Sequence, residues 1–364
     1  MEKEQSAVLE KPRKISIKEF PIPSVKKEGL LLRVEAVGVC GSDVERYIGT
    51  KFGGTFKTPF PIIMGHEVVG NIADANTKKL KKSYLEIGDR VVVEPNILCC
   101  ECNYCLTGYY QLCKNMRCYG INISCNEPPH LWGAYGQYMY VAPNSRIHRI
   151  SKDVPKEAAC LSSIIGNGIR WVCTKGKVQP GDSVIIIGPG TQGLASVLVS
   201  DHVGASKICL IGTPKDRKRL EIGRTLGATD CIVFEEEDVV DRVREITDNK
   251  FADVVICCVG SPKAIRMGFD LVKPLGTFVL VGLTGNEKSG LFTDKIVTNE
   301  LKVLGGLGQS WNVEAAIKLL ESNKYPIKKM VTHSFPLNDS EKALKTSAYE
   351  VAGEEPIKSI IVPD

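Results

Sequence analysis

The region from about residue 155 to residue 300 alternates short apolar runs with amphipathic stretches, and this alternation constrains the fold more than any other feature. The runs SVIIIG, KICLIG and DVVICCVG read as buried strands, and each is followed by a helix-like segment. Strand–helix repetition with continuously apolar strands is typical of a parallel sheet covered on both faces. The sequence therefore predicts an α/β domain with a doubly wound parallel sheet over residues 161–300.

A glycine-rich turn joins the first of these strands to the helix that follows it. It reads Gly188-Pro189-Gly190-Thr191-Gln192-Gly193 and matches the pattern G-x-G-x-x-G. Between a strand and a helix, this pattern is typical of a turn whose backbone approaches a pyrophosphate at the helix N-terminus. We expect five residues of the turn to bind a nicotinamide dinucleotide: Gly188, Gly190, Thr191, Gln192 and Gly193. The alternative is an ordinary glycine-rich turn.

The end of the second strand indicates which dinucleotide is bound. An acidic residue at this place binds the ribose diol of NAD, but here the strand ends at Gly212, followed by Thr213, Lys215, Asp216 and Arg217. A carboxylate would repel a 2′-phosphate, whereas Lys215 and Arg217 can hold one. This favours NADP. The alternative is that the cations lie in solvent and Asp216 turns toward the ribose of NAD.

Four cysteines in one short segment have the spacing of a metal site. Cys99, Cys102, Cys105 and Cys113 lie in a predicted lobe over residues 95–118. Closed tetrahedral sites with four thiolates are typical of structural zinc. Disulfides or chance clustering are the alternatives, and Cys100 and Cys118 could compete as ligands although they break the spacing.

A second set of metal ligands lies on two turns that are far apart in the sequence. Cys40 begins the turn Cys40-Gly41-Ser42-Asp43, and His66 and Glu67 follow Gly65. Thiolate, imidazole and carboxylate are ordinary zinc ligands, and a catalytic zinc keeps one position open. We expect Cys40, His66 and Glu67 to hold this ion, Ser42 to pass an alcohol proton outward, and Asp43 to orient His66. The alternative is a buried core thiol and a histidine at a strand end.

Length and composition set the expected domain organisation. The chain has 364 residues, of which 43% are hydrophobic and 24% charged. These are globular values, and the length suffices for about two domains. Short strands separated by Gly and Pro predict an all-β, barrel-type domain in the first part of the chain. We expect a catalytic domain over residues 1–160, a nucleotide-binding domain over 161–300 and a return to the first domain over 301–364.

Charge and cysteine content restrict the expected partners and compartment. The net charge of +5 is modest, and the lysines of residues 78–84 are interpreted as a solvated loop, so no nucleic-acid partner is expected. We expect no secretory signal and no membrane span, because the N-terminal segment is charged and no apolar run is long enough. Ligand cysteines must stay reduced, which indicates a cytoplasmic protein.

In combination, the Cys-Gly-Ser-Asp turn, Gly65-His66-Glu67, the four-cysteine lobe and the glycine loop resemble the zinc-containing medium-chain alcohol dehydrogenases, in the same order and over nearly the full length. The first turn is most similar to the polyol, sugar and threonine dehydrogenase-like branches. The resemblance implies a GroES-like catalytic domain, an inserted Rossmann domain, a cleft between them and a homodimer or homotetramer. It also implies two zinc ions per chain and reversible oxidation of a secondary alcohol to a ketone by NAD(P).

The chain departs from this family at one position. A third protein ligand of the catalytic zinc, usually Cys or Glu in the family, aligns here with Ser163 or Ile164, which are poor zinc ligands. We expect Glu67 to complete the site in preference to Cys160, which lies one helical turn away. Asn167 lies where relatives contact the nicotinamide region.

Two other functions stay open on the sequence alone. A zinc-independent, NADPH-dependent enone or quinone reductase of the same superfamily would explain the missing ligand. A non-catalytic zinc- or redox-responsive binding protein would explain the fourteen cysteines. Residues 47–56, 131–135 and 283–294 are expected to line the substrate pocket. Four aromatic residues there suggest an apolar or ring-shaped substrate: Phe52, Phe56, Trp132 and Tyr135.

Overall fold

The chain folds into two compact units. The computed structural model describes residues 2–25, 28–50, 58–76, 80, 84–285, 287–291 and 293–363. The first unit comprises Met1–Ser163, Ile317–Asn323 and Met330–Asp364, and the second comprises Ile164–Ala316 and Lys324–Lys329. The chain leaves the second unit after Ala316, later than the boundary at residue 301 expected from the sequence, because the strand Lys302–Gly305 still belongs to the sheet of the second unit.

Helices and strands follow one another along the chain in the order that the sequence predicts. The strands are β1 (Lys3–Lys11), β2 (Lys14–Pro21), β3 (Leu30–Gly38), β4 (Ile62–Ile63), β5 (Glu67–Ala75), β6 (Arg90–Ile97), β7 (Arg117–Cys118), β8 (Tyr138–Val141), β9 (Ser145–Arg149), β10 (Ser183–Ile187), β11 (Lys207–Gly212), β12 (Asp230–Val233), β13 (Ala252–Cys257), β14 (Val272–Leu280), β15 (Lys302–Gly305), β16 (His333–Pro336) and β17 (Ser359–Val362). The α-helices are α1 (Gly41–Ile48), α2 (Asn103–Leu106), α3 (Lys156–Ala159), α4 (Ser162–Ile169), α5 (Thr191–His202), α6 (Arg217–Thr225), α7 (Val239–Ile246), α8 (Pro262–Asp270), α9 (Asp294–Thr298), α10 (Val313–Glu321) and α11 (Ser340–Ser347). Among the helices described, none combines the length and the apolar character needed to cross a membrane.

The first unit is built mainly from antiparallel strands. One sheet has the order β16-β17-β3-β5-β6-β7, with β8 paired to β3 and β9 paired to β6, and a smaller sheet has the order β2-β1-β4. Strands of both sheets contribute apolar side chains such as Val8, Leu32, Ile62, Val68 and Met139 to one buried core. The all-β character predicted for the first part of the chain is therefore confirmed.

The second unit contains a six-stranded sheet with the order β12-β11-β10-β13-β14-β15. All five strand pairs in it are parallel, which confirms the predicted doubly wound arrangement. The strand order reverses between β10 and β13, and the carboxyl ends of the strands at such a switch point form a nucleotide-binding crevice. A buried cluster that includes Ile185, Ile211, Val255 and Phe278 forms its core.

Candidate active site and metal centres

Strand pairing brings together the two halves of the predicted catalytic-metal site. In the pairing of β3 with β5, Gly38 lies opposite Glu67, so Cys40 follows at the end of the strand that adjoins the His66 turn. The Sγ atom of Cys40, a ring nitrogen of His66 and a carboxylate oxygen of Glu67 all lie within 4.8 Å of one another. Three atoms of the types that bind Zn²⁺ therefore converge in the first unit.

The carboxylate of Asp43 connects the cysteine turn to the histidine. Cys40 is the N-cap of α1, and its backbone N–H donates a hydrogen bond to Asp43 Oδ2 at 2.9 Å. The hydroxyl of the buried Tyr135 donates to the same oxygen at 3.3 Å. The other oxygen of Asp43 lies 3.6 Å from Nδ1 of His66. Asp43 is thus placed to orient the imidazole ring.

Negative charge is concentrated around these residues. Burial lowers the pKa of His66, but interactions with Asp43, Cys40 and Glu67 outweigh this effect and raise it to about 9. The side chain of Ser42 is buried, and its hydroxyl oxygen has no hydrogen-bond partner within the described part of the chain. A buried set of anionic and unpaired polar atoms is what a divalent cation satisfies, so these residues fit a zinc ion.

Lys358 belongs to this site although the sequence analysis did not identify it. Its ammonium group forms an ion pair with Oε2 of Glu67, and the two side chains are only 3% and 4% exposed. Burial lowers the pKa of Lys358, but Glu67 and Cys40 raise it above its ordinary value. The lysine is therefore protonated at neutral pH and offers Glu67 a positive charge. No local motif signals this contact, because Lys358 reaches the site through the pairing of β17 with β3.

The segment that aligns with the third zinc ligand of the family lies in a buried part of the chain. Ser163 and Ile164 are 8% and 1% exposed. Cys160 is also buried and donates through its thiol to the carbonyl of Glu157 at 3.3 Å. Burial raises the pKa of this thiol to about 12, which disfavours the thiolate that a metal would need.

The four lobe cysteines also converge. Their Sγ atoms all lie within 4.8 Å of one another, and those of Cys99 and Cys105 are 3.8 Å apart. Sulfurs bound at about 2.3 Å to a tetrahedral ion are about 3.8 Å apart, so the cluster fits a closed zinc site. Cys100 is exposed, and Cys118 is buried and donates to Asn96 Oδ1 at 3.0 Å, outside the cluster.

We expect Cys102→Ser to lower the zinc content by about one ion per chain and to lower the unfolding temperature, because metal binding at a structural site contributes free energy to folding. Backbone N–H groups of Lys114 and Cys105 lower the pKa of Cys102 to about 6, which favours its thiolate. Elemental analysis and thermal unfolding measure the two effects. Cys100→Ser, in the same lobe, is the matched control, and equal zinc content in the two variants would contradict this assignment.

The glycine loop adopts the geometry of a nucleotide-binding turn. Gly190 is the N-cap of α5, and a Cβ atom on Gly193 would lie 1.9 Å from the carbonyl oxygen of Gly188. Only glycine therefore fits at 193. The Nδ2 of Asn167 donates to Oε1 of Gln192 at 3.3 Å, which places two predicted cofactor contacts side by side. Donors at the N-terminus of a helix suit a pyrophosphate, so the residues present fit a dinucleotide.

The turn after β11 directs its carboxylate inward and its cations outward. Asp216 Oδ2 accepts hydrogen bonds from the backbone N–H and the hydroxyl of Thr213, at 2.9 and 2.8 Å. Lys215 is exposed, and Arg217 is 62% exposed and pairs with Glu236 at 2.6 Å. A Cβ atom on Gly212 would lie 3.0 Å from that of Asp216. An acidic side chain at 212 would therefore need its neighbours to move.

A cavity of about 470 Å³ adjoins this turn. Its lining contains four apolar residues and five charged ones, of which four are acidic: Phe234, Val239, Val240 and Met267, and Glu235, Glu236, Glu237, Asp238 and Lys263. The backbone N–H of Phe234 donates to the carbonyl of Gly212 at 2.7 Å, so the cavity lies at the end of β11. Five of the nine lining residues are charged, so the cavity lacks the mainly apolar lining that is typical of a small-molecule site.

None of the four aromatic residues predicted to line the substrate pocket is exposed in the described part of the structure. Phe52 and Phe56 lie outside the described residues. Trp132 and Tyr135 are 7% and 0% exposed and belong to the core of the first unit. Tyr135 therefore acts through its hydrogen bond to Asp43, and neither ring is available as an exposed platform for a substrate.

Comparison with known proteins establishes the family. Residues 26–152 match the family described as alcohol dehydrogenase GroES-like domain, and residues 193–322 match zinc-binding dehydrogenase. A protein of Mycobacterium tuberculosis described as a probable alcohol dehydrogenase is 34% identical over 99% of this chain and 98% of its own. The chain belongs to the zinc-containing medium-chain alcohol dehydrogenase superfamily. It is an oxidoreductase, so the interpretation as a non-catalytic binding protein is not supported.

Two further relatives are similar to this chain over its full length. The erythritol/L-threitol dehydrogenase of Mycolicibacterium smegmatis is 29% identical over 100% of this chain and 98% of its own. A protein of Sinorhizobium meliloti 1021 whose structure was solved with NADP bound is 25% identical, with a TM-score of 0.88 and full coverage of both chains. The GroES-like and Rossmann folds implied by the sequence resemblance are confirmed.

Proposed function

We propose that this protein is a zinc-dependent dehydrogenase that transfers a hydride between a secondary alcohol and NADP, giving a ketone. The observation that carries the proposal is the convergence of Cys40, His66 and Glu67 within 4.8 Å. The proposed substrates are polyols, sugars or cyclic alcohols, a class supported by the similarity to an erythritol/L-threitol dehydrogenase.

Different residues of the chain are proposed to hold the metal, orient its ligands and transfer the proton. When bound, zinc supplies a Lewis acid that polarises the substrate oxygen, and the nicotinamide ring supplies the hydride acceptor. Cys40, His66 and Glu67 would hold the ion, and Asp43 keeps the first two in position. The Ser42 hydroxyl would accept the O–H proton of the alcohol and give up its own proton to a water molecule, since it has no hydrogen-bond partner within the described part of the chain. The second zinc would be held by the four lobe cysteines and would stabilise the fold.

Removal of the labile zinc tests this function. We expect the enzyme to lose secondary-alcohol oxidation when a chelator removes the zinc held by Cys40, His66 and Glu67, and to regain it with added Zn²⁺. The measurement is turnover of a panel of polyols, sugars and cyclic alcohols, alongside elemental analysis. The four-cysteine zinc is expected to resist the chelator longer, since it has four thiolate ligands.

The zinc-independent enone or quinone reductase is the second candidate function. The observation that favours it is the buried ion pair between Lys358 and Glu67, which gives this carboxylate a partner without a metal. Full activity after verified loss of the labile zinc would favour the reductase over the dehydrogenase.

We expect a higher specificity constant with NADP than with NAD. Lys215 and Arg217 are proposed to hold the 2′-phosphate, since Arg217 is exposed and its pair with Glu236 is a weak surface interaction. Replacing both by Ala should raise the KM for NADP by about tenfold or more and leave that for NAD nearly unchanged. Arg224→Ala, an exposed cation on the same helix, is the control. A wild-type preference of about tenfold for NAD would contradict this proposal.

A second copy of the chain is the proposed protein partner, in a homodimer or homotetramer. The edge strand β15 of the second unit supports this, since an open edge is a template for pairing. Four apolar side chains of that unit are also 53–75% exposed and are proposed to be covered by the second copy: Leu275, Val297, Leu307 and Trp311.

The proposed compartment is the cytoplasm. All fourteen cysteines are free thiols in the structure, and thiolate metal ligands require reducing conditions.

A further inference from the structure

An acidic segment, residues 235–238, follows β12 and lies beside the turn that is proposed to hold the 2′-phosphate of NADP. Strand β12 is parallel to β11, with Val233 opposite Gly212, and the backbone N–H of Phe234 donates to the carbonyl of Gly212 at 2.7 Å. All four residues of the segment carry carboxylates. Negative charge is therefore concentrated next to a site proposed for an anion, and the proposed binding of NADP does not account for it.

The members of this acidic segment have different partners. Oε1 of Glu237 accepts a hydrogen bond from a backbone N–H of β12 at 3.2 Å, and Asp238 caps α7 by accepting one from the N–H of Asp241 at 3.0 Å. Glu236 instead faces the turn after β11, since both of its carboxylate oxygens accept from Nη2 of Arg217, at 2.6 and 2.8 Å. Glu236 thus contacts a proposed ligand of the 2′-phosphate.

The turn before Arg217 leaves recognition of a phosphate to its cations. Arg217 is the first residue of α6, and it follows a capping box in which Asp216 accepts from both the N–H and the hydroxyl of Thr213. These two donors are therefore used within the turn. The other N–H groups of Arg217 can still donate to a phosphate. A phosphate bound there comes close to the Glu236 carboxylate, and the two anions repel each other.

We propose that Glu236 is a specificity-determining residue: its carboxylate competes with the 2′-phosphate of NADP for the guanidinium of Arg217 and so limits the preference for NADP over NAD. This inference rests on the proposed function, in which Arg217 holds that phosphate. NAD carries a hydroxyl in place of the phosphate, so its binding loses little to the competition.

The exposure of the pair sets the size of the effect. The side chains of Arg217 and Glu236 are 62% and 41% exposed, and ion pairs between exposed side chains are weak. A phosphate monoester carries about −1.5 to −2 charge at neutral pH, against the single negative charge of Glu236. The phosphate therefore displaces the carboxylate at a modest cost, and Glu236 reduces the affinity for NADP without excluding it.

Fluorescence titration with NADPH and with NADH measures this competition on the full chain. We expect Glu236→Gln, which keeps the size of the side chain and removes its charge, to lower the Kd for NADPH by about two- to fivefold. The Kd for NADH should stay nearly unchanged. An unchanged Kd for NADPH, or an equal fall in the Kd for NADH, overturns the proposal.

Glu245→Gln is the matched control for the loss of one negative charge. Glu245 is also an exposed carboxylate of the second unit, and it pairs with Arg242 at 2.6 Å, which is the distance between Glu236 and Arg217. Both residues of the control pair lie on α7, outside the turn after β11. A gain in NADPH affinity as large as that of Glu236→Gln would reveal a general effect of net charge and overturn the proposal.

The double variant Arg217→Ala/Glu236→Gln tests whether Glu236 acts through the guanidinium. In the Arg217→Ala background the competition no longer exists, so adding Glu236→Gln should lower the Kd for NADPH much less than it does in the wild type. A gain of undiminished size in that background would mean that Glu236 acts without Arg217, and it would overturn the competition.

The single variant Arg217→Ala separates failure of this inference from failure of the proposed function. If Arg217→Ala weakens NADPH binding but Glu236→Gln does not strengthen it, the inference alone is overturned. If Arg217→Ala binds NADPH as tightly as the wild type, Arg217 does not hold the 2′-phosphate. That result contradicts the proposed cofactor site, and the inference falls with it.

Discussion

Replacing Cys40 by Ser or His66 by Ala is expected to abolish alcohol oxidation while leaving nucleotide binding nearly unchanged. Each change removes one of the three side chains whose ligand atoms lie within 4.8 Å of one another. Loss of even an outer-shell partner of a metal typically costs about 10- to 100-fold in affinity or activity, so loss of a direct ligand should cost more. The glycine loop belongs to the second compact unit, which does not contain either residue.

Turnover with NADP and fluorescence titration of NADPH measure the two halves of this prediction. Cys160→Ser is the matched control, because Cys160 is a buried thiol of the same unit that lies outside the ligand cluster. We expect this variant to keep its labile zinc. Substantial turnover by Cys40→Ser without labile zinc would show that the reaction does not need the metal.

The sequence predicts best those parts of the site whose residues lie close together along the chain. The four lobe cysteines lie on one short segment around the helix Asn103–Leu106, and the glycine loop lies on a single strand–turn–helix unit. In both cases the spacing of the residues nearly determines their geometry. The convergence of Cys40 with His66 is not local, and its prediction depended on family resemblance as well as on ligand chemistry.

Contacts that depend on strand pairing could not be derived from the sequence. Lys358 reaches Glu67 only because β17 pairs with β3, where Ile360 lies opposite Gly38. Trp132 and Tyr135 were expected to line the substrate pocket, but both side chains are buried in the core of the first unit. Their presence in the sequence therefore gives no information about the shape of the substrate. Aromatic residues carry large apolar surfaces that favour burial, and sequence alone does not show which of them the fold encloses.

Lys358→Met is expected to destabilise the zinc-free first unit by about 3–5 kcal/mol, since removal of one partner leaves a buried and uncompensated charge. The partner left behind is Glu67, whose side chain is 4% exposed. Little space exists for a water molecule to replace the ammonium group, because a Cβ atom on Gly38 would lie only 2.3 Å from Glu67 Oε2 and 2.9 Å from Lys358 Cε. Methionine keeps the apolar length of the side chain, so the variant mainly removes the charge.

Zinc should reverse much of this loss if Glu67 is a ligand, because the ion then supplies the positive charge that Lys358 provided. Unfolding in urea, monitored by hydrogen exchange over β5, compares the stability of the variant with and without labile zinc. The double variant Glu67→Gln/Lys358→Met removes both charges and should regain most of the zinc-free stability, as replacement of a complete buried pair often does. Glu67→Ala should also hasten zinc loss to a chelator more than Ser163→Ala. If Lys358→Met costs the same with and without zinc, Glu67 is not a ligand, and Cys40 and His66 must bind the ion with water.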